Sequence, residues 1–486
     1  MTTVRIRGEE QPGFLEILSN WLPHQPWFPA PRGRRSLTRV GGLRLPTPQG
    51  DPDSGLFLEH HVFDLELPQG PQRISVPVAL RSRPSALAGK TAFIGKLTDQ
   101  NGKDLWVYDG ARDRAFLAAW LEMARRRQGS RNGRSRGEAL AGFESWDAFE
   151  LKMRRSAVQA QDASHTRTLV APEDAAEEGD WEKKVVVDFL RRPTQQRTPL
   201  LETVLTLTRA NSRSVPRVLG TISGAWEKTA TAADEAEWEN GDLSVIREAG
   251  VEAPSAWDLA RAALKAGRSF SAEAGELGRW LGTFHADLAG AFGAHPQSTA
   301  QLKSMAQNAQ AALSSQWAGV RQEFDEDEAA DLHEVIDLMT MQLRDAGEPL
   351  MLQQIHGDLS LGQAHQMTPQ RWVFNESDGL IERALGLRDV VTMLMSAANL
   401  VMEVANETPE ASSTEEGEAQ APVNFGQWYE EFTKSFLKGY RSSDVDASGV
   451  DSVFFRAAML AEALELFAQW EGSWVFRPSM LLQAEG

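Results

Sequence analysis

Apolar and polar positions alternate through LEHHVFDLEL (58–67) and RISVPVAL (73–80), a period of two that predicts strands, with turn-rich PTPQGDPDSG just before them. Pro77 inside the second run predicts a sheet edge, because proline cannot donate to a ladder. A third strand-like run, KDLWVYDG (103–110), gives way to a stripe of Phe116, Leu117, Trp120, Leu121 and Met123 at helical spacing. Further strands are predicted over 183–190, 216–226 and 243–249, with a helix at 200–210, so the middle of the chain reads as a small sheet carrying one helix. From Trp257 the 3.6-residue period dominates. It predicts helices there and at 385–405, 427–440 and 450–471, with one long polar helix over 300–346, and only short strands near 353–358, 362–367 and 371–376. The pattern is α+β, strands first and helices after, without an internal repeat.

Composition narrows the function classes. A chain of 486 residues corresponds to about three compact units at roughly 150 residues each, and 42% hydrophobic with 24% charged residues is a globular composition. With no cysteine, disulfides, thiolate metal sites, iron–sulfur clusters and a catalytic thiol are excluded. Fifty basic against 68 acidic residues give a net charge of −18, which repels nucleic-acid phosphates and anionic membranes. The opening MTTVRIRGEEQPGF develops no apolar signal core and no run reaches a membrane-spanning length, so the expectation is a soluble, cytoplasmic protein. Arg125, Arg126, Arg127, Arg131, Arg134 and Arg136, spaced by Gly, Ser and Asn, predict a solvated mobile loop. The acidic stretch 407–422 predicts a disordered insertion, and the run Glu323 to Glu328 a solvated face.

Candidate chemistry concentrates in Gln354-Ile355-His356-Gly357-Asp358-Leu359-Ser360-Leu361-Gly362-Gln363, a loop between short strands. Its spacing follows the logic of a kinase catalytic loop, where an aspartate accepts a hydroxyl proton and an amide five residues later holds magnesium; here 363 − 358 = 5. The turn after RWVF supplies two acids, Glu376 and Asp378, as further metal ligands. His356 is expected to buttress the loop, Asp389 to cap its helix and support the loop, and His285 to be structural. Trp470, Glu471 and Trp474 near the C-terminus offer aromatic faces and a carboxylate as candidate substrate contacts.

Three landmarks carry a family resemblance. Asn20-Trp21-Leu22-Pro23-His24-Gln25-Pro26-Trp27-Phe28 resembles the WLPxQRWF opening of the maltokinase cap, HGDLSLGQ resembles the HGDxHLGQ loop, and Leu387-Arg388-Asp389-Val390 resembles the RDV segment that follows. The chain is thus similar to the maltokinases and the wider aminoglycoside phosphotransferase-like kinases. That resemblance implies a bilobal protein-kinase-like fold: an N-terminal β-rich cap over 1–110, an intermediate subdomain completing the N-lobe over 111–250, and a mostly helical C-lobe over 251–486. It also implies ATP and Mg2+ as cofactors, adenine received near Ile246, Arg247, Glu248 and Ala249, and Asp358 as base.

Two departures matter. The family's D-F-E-G turn reads Glu376-Ser377-Asp378-Gly379, and Asp188 stands where the nucleotide-orienting lysine is expected. Lys183, Lys184, Arg191 or Arg192 are the candidates to replace that charge, Lys184 being the nucleotide-binding choice, and Glu202 occupies the place of the lysine's helix partner. The altered turn most resembles an actinobacterial subgroup that phosphorylates glucosamine, and this implies transfer to the 6-hydroxyl; the alternatives are a maltokinase forming maltose 1-phosphate and a catalytically weak sugar- or nucleotide-binding pseudokinase. The expected partners are an amino sugar and ATP, with no nucleic acid or membrane, in a monomer or weak homodimer.

Overall fold

The computed structural model describes residues 12–29, 36–67, 70–85, 90–99, 102–158, 164–173, 180–228, 237–375, 381–407 and 424–470. The chain divides into two compact units: Met1–Arg209 with Arg217–Ala249, and Ala210–Pro216 with Gly250–Gly486. The expected disordered stretch 407–422 falls, beyond Glu407, outside the described residues, as do Glu376, Asp378, Glu471 and Trp474.

The first unit opens with α1 (Phe14–Trp21) and the strands β1 (Leu37–Leu45), β2 (Phe57–Leu65), β3 (Gln72–Arg81), β4 (Phe93–Thr98) and β5 (Asp104–Asp109). After α2 (Arg114–Arg125) come β6 (Ser135–Ala139), β7 (Arg154–Val158), β8 (His165–Ala171), β9 (Val185–Leu190), α3 (Pro199–Arg209), β10 (Val218–Glu227) and β11 (Trp238–Glu248). All eleven strands join one sheet in the order β4-β5-β3-β2-β1-β10-β11-β9-β8-β7, with β6 also on β10. The first five strands and the rest therefore share a ladder through β1 and β10.

Trp21, Leu22, Trp27 and Phe28 of the cap motif are buried against Phe63, Leu65, Ile74 and Val76, so those residues build core. The α2 stripe buries Phe116, Leu117, Trp120 and Leu121 against the other sheet face. At about 1.5–3 kcal/mol per large apolar side chain removed from water, that stripe anchors the helix. Its N-cap, Asp113, accepts from the Ala115 and Phe116 amides while Arg81 grips the same carboxylate at 2.8 and 2.9 Å.

Two sequence expectations change here. Pro77 lies in an interior strand: β3 pairs with β2 along its length, but its ladder with β5 begins only at Val78. The missing N–H falls in the gap between that ladder and the bond from the Ser75 amide to the Arg191 carbonyl, so no ladder bond is lost. The arginine-rich segment is largely exposed, as expected, but it is tethered rather than free. Arg125 and Arg126 pair with Glu122, Arg127 with Glu144, Arg134 stacks over Trp238 at 3.3 Å, and Arg136 lies in β6, paired with β10.

The second unit is helical: α4 (Ala256–Lys265), α5 (Ser271–Phe292), α6 (Thr299–Val320), α7 (Glu326–Asp345), α8 (Leu387–Glu407), α9 (Phe425–Arg441) and α10 (Val453–Gln469). Short strands β12 (Ala294–Pro296), β13 (Met351–Ile355) and β16 (Ile381–Ala384) form one small sheet; β14 (Ala364–Thr368) and β15 (Arg371–Phe374) form a hairpin. The single long helix expected over 300–346 is two helices. The break comes where Asp325 turns its side chain onto the Glu328 amide and caps α7, so part of the acidic run serves as a helix start.

Candidate active site

The candidate loop leaves β13 at Ile355 and turns at Gly357, whose φ of +89° lies in the left-handed region that favours glycine. That turn aims successive amides at one carboxylate. The His356 and Gly357 N–H groups donate to Asp389 Oδ2 and Oδ1, each at 2.8 Å, and His285 Nε2 donates to Oδ2 at 3.1 Å. His285 Nδ1 in turn accepts from the Tyr440 hydroxyl at 2.9 Å, which assigns its proton to Nε2. Asp389 is the third residue of α8; its carboxylate is bound by the loop's amides, whereas the cap on its own helix that the sequence also predicts does not form. Burial pushes its carboxyl up, but His285 and the Gly357 amide outweigh burial and hold it below the usual aspartate value. Burial, with Asp389 and Asp446 adding to it, pushes the Tyr440 hydroxyl well up.

His356 is buried and donates from Nε2 to the Asn375 carbonyl at 2.8 Å, while Nδ1 faces the Asp358 amide at 3.4 Å. Desolvation pushes its imidazole below the usual histidine value, against the pull of Asp389, Asn375 and Asp358, so it stands neutral at neutral pH. Asp358 follows on the outside of the turn. Its side chain is exposed and, among the described residues, its carboxylate accepts no hydrogen bond. The loop fixes the backbone of Asp358 and leaves the carboxylate available.

Gln363 closes the loop's last turn. Its Oε1 accepts from the Ser360 amide at 2.7 Å and from the Ser360 hydroxyl at 3.1 Å, a capping box that orients this amide inward onto its own loop. The Gln363 carbonyl accepts from the Asn375 amide at 2.9 Å, which ties the end of the loop to the end of β15.

Asn375 is the residue that sequence reasoning missed. Its side-chain amide donates to His365 Nε2 at 2.7 Å, and His365 Nδ1 donates to the Ala253 carbonyl at 2.7 Å. Because that carbonyl can only accept, the proton sits on Nδ1 and the orientation of Asn375 follows. Among the described residues its Oδ1 is then buried without a hydrogen-bond partner, an oxygen acceptor on the residue that precedes Glu376 in the sequence. Asp358, Gln363 and Asn375 are all hard oxygen donors, the class that magnesium takes. Among the described residues, no cluster of three or more His, Asp or Glu side chains forms a separate metal site.

Elsewhere, Ile246 and Ala249 are buried at the end of β11, Glu248 grips Arg217 at 2.6 Å, and the Ala249 amide donates to the Lys184 carbonyl at 3.2 Å. The Lys184 ammonium sits 4.2 Å over the Trp181 ring. Glu202 is half exposed and pairs with Arg197 at 3.8 Å. Trp470 donates from Nε1 to Asn399 Oδ1 at 3.0 Å, at the end of α10. No helix among the described residues is long and apolar enough to cross a membrane.

Comparison with known proteins bears on the fold. Residues 21–113 match the maltokinase N-terminal cap domain. The chain superposes on a glucosamine kinase in complex with glucosamine, ADP and inorganic phosphate with a TM-score of 0.50 and 18% identity, covering 96% of this chain and 98% of that one. A glucosamine kinase in another crystal, form A, gives a TM-score of 0.51 at 18% identity over 97% and 98% of the two chains. The chain thus carries a maltokinase N-terminal cap domain on a polypeptide with the kinase-like α+β fold of the glucosamine kinases.

Proposed function

We propose that the protein is an ATP-dependent sugar kinase that transfers the γ-phosphoryl group of ATP to glucosamine, at the 6-hydroxyl. The observation that carries this reading is Asp358: an exposed carboxylate that accepts no hydrogen bond among the described residues, on a loop whose two preceding amides are locked to the buried Asp389. Phosphoryl transfer asks the protein for positioning and charge stabilisation more than for covalent chemistry, and a rigid backbone with a free carboxylate suits that demand. Asp358 accepts the proton of the attacking hydroxyl. His356, neutral and hydrogen-bonded through both nitrogens, holds the loop and stays out of proton transfer.

Magnesium, when bound, neutralises charge on the triphosphate. Asn375 Oδ1, Gln363 and the acids Glu376 and Asp378 of the following turn are the oxygen donors proposed for it. Gln363 takes part by sharing or leaving its Ser360 contacts. The end of β11, from Ile246 to Ala249, is the proposed adenine-binding segment, with Lys184 beside it. Trp470, Glu471 and Trp474 are the proposed sugar contacts. The choice of glucosamine rests on the ligand named for the neighbour of like fold and on the altered turn after β15, whose acids suit an ammonium group through charge-assisted hydrogen bonds.

A second reading, a maltokinase, is favoured by the cap match over residues 21–113. ADP release with magnesium ATP, measured against glucosamine, N-acetylglucosamine, glucose and maltose, separates the two. Asp358→Asn is expected to lower kcat by about 10²–10⁴ with little change in KM and no loss of fold, since among the described residues no hydrogen bond ends on its carboxylate. Release stimulated by maltose and not glucosamine sinks the amino-sugar assignment. Full activity of the Asn variant sinks the role of Asp358.

A further inference from the structure

Asn375 has four hydrogen-bonding groups, and three of them are held. Its backbone N–H donates to the Gln363 carbonyl at 2.9 Å, its carbonyl accepts from His356 Nε2 at 2.8 Å, and its side-chain Nδ2 donates to His365 Nε2 at 2.7 Å. The first two contacts tie Asn375 to both ends of the loop that carries Asp358. The fourth group, Oδ1, is buried and has no hydrogen-bond partner among the described residues. Leaving a buried carboxamide oxygen unpaired costs free energy, so the group calls for something that answers it, an ion or a water.

His365 decides which end of that amide is left over. Its ring is buried and neutral at neutral pH, so it carries one proton. The Ala253 carbonyl, 2.7 Å from Nδ1, can only accept; the proton therefore stands on Nδ1, and Nε2 is an acceptor. An acceptor takes the NH2 end of the Asn375 amide and turns the oxygen away from itself. His365 is in turn fixed on its strand: it pairs with Ser255, and the Gln366 amide donates to the Pro254 carbonyl at 3.0 Å, so β14 lies along residues 253–255. With the amide rotated by half a turn, Asn375 would offer N–H donors, which a cation repels. With the amide as it stands, it offers a hard oxygen, the class of ligand that magnesium takes. A hydrogen bond that orients a ligand from behind is a regular part of a metal site.

We propose that His365, locked by the Ala253 carbonyl, is a positioning residue for magnesium: it turns the Asn375 carboxamide so that Oδ1, and not Nδ2, is offered to the ion. This rests on the kinase reading above and adds to it a residue that acts only through another. The backbone carbonyl of Ala253 thus sets, through one imidazole, the polarity of the group that Asn375 presents.

The test is Mn2+ binding in the presence of ADP, followed by loss of the free ion's electron paramagnetic resonance signal, with metal-free ADP affinity and the thermal unfolding midpoint measured on each variant. Two substitutions divide the ring between them. His365→Asn keeps a donor where Nδ1 meets Ala253 and removes the acceptor that faces Asn375; His365→Gln keeps an acceptor near the place of Nε2 and removes that donor. Expected are a Mn2+ affinity about ten- to a hundredfold weaker for His365→Asn, most of the parent affinity for His365→Gln, and an unchanged metal-free ADP affinity for both. Adding Asn375→Asp to His365→Asn is expected to recover the Mn2+ affinity, because a carboxylate offers oxygen whichever way it is turned. A merely structural histidine behaves otherwise: both variants lose Mn2+ in step with the unfolding midpoint, or His365→Gln loses more, and Asn375→Asp rescues neither. Either of those results overturns the inference, as does His365→Asn binding Mn2+ like the parent, which leaves Oδ1 to a water only. A parent protein that binds no Mn2+ with ADP overturns the kinase reading itself, an outcome separate from the others.

Discussion

Asp389 concentrates more of the site's order than any other side chain described, because one buried carboxylate holds two loop amides and a histidine. Removing it leaves those donors buried and unpaired, and hydrogen bonds to charged groups contribute about 1.5–3 kcal/mol each. Asp389→Ala is therefore expected to lower the unfolding free energy by about 3 kcal/mol or more and to reduce kcat, whereas Asp389→Asn, which keeps one acceptor oxygen, should lose less of both. Urea titration and steady-state kinetics on the two variants check the order. The aspartate's link to the RDV segment was legible in the sequence. Its partners were not, since His285 lies 104 residues away, on α5, and only tertiary packing brings it within reach.

At the scale of elements, the network depends on how closely α5 and α9 approach, for α5 carries His285 and α9 carries Tyr440. Glycines set that distance. A Cβ at Gly439 would lie 1.9 Å from the Gly275 carbonyl oxygen, and one at Gly278 would lie 2.0 Å from that of Phe436. Neither obstacle is a flexible side-chain tip, so the helices must separate. Gly439→Ala is expected to cost about 1–3 kcal/mol of stability despite alanine's better helix propensity, and to weaken the contact from Tyr440 to His285. The check is a lowered unfolding midpoint for Gly439→Ala, set against no loss for Gly290→Ala on α5, where a Cβ meets nothing within 4 Å. Periodicity showed both helices, but a helical pattern does not reveal that two backbones touch.

For the whole molecule, buried neutral histidines shape the response to pH. Desolvation lowers His60 in the first unit and His356 and His365 in the second from their ordinary value of 6.5. Each group binds fewer protons folded than unfolded. Its contribution to stability is thus fully present above pH 6.5 and lost as pH falls below it, until the depressed folded value is reached. Each histidine adds up to about 1.4 kcal/mol per pH unit to that slope. Unfolding free energies at pH 7.5 and 5.5 should differ accordingly, the more acidic sample being weaker, and a variant with His60→Gln should show a shallower dependence. A flat profile over that interval would contradict the burial of neutral imidazoles.

The sequence by itself determined the order of strands before helices, the position of the loop from His356 to Gln363, and the cap motif. Each is written in local spacing, and local spacing is what hydrophobic periodicity and turn chemistry express. The tertiary structure alone decided the rest. It set Arg167 and Arg247 beside Asp188, three strands of one sheet whose register brings together residues 21 and 59 positions apart. It also divided the expected long helix at Asp325, and it turned the Asn375 amide to His365 so that its oxygen has no hydrogen-bond partner among the described residues. Cross-strand pairing and the satisfaction of buried polar groups are properties of the packed chain. No single segment carries the information that fixes them.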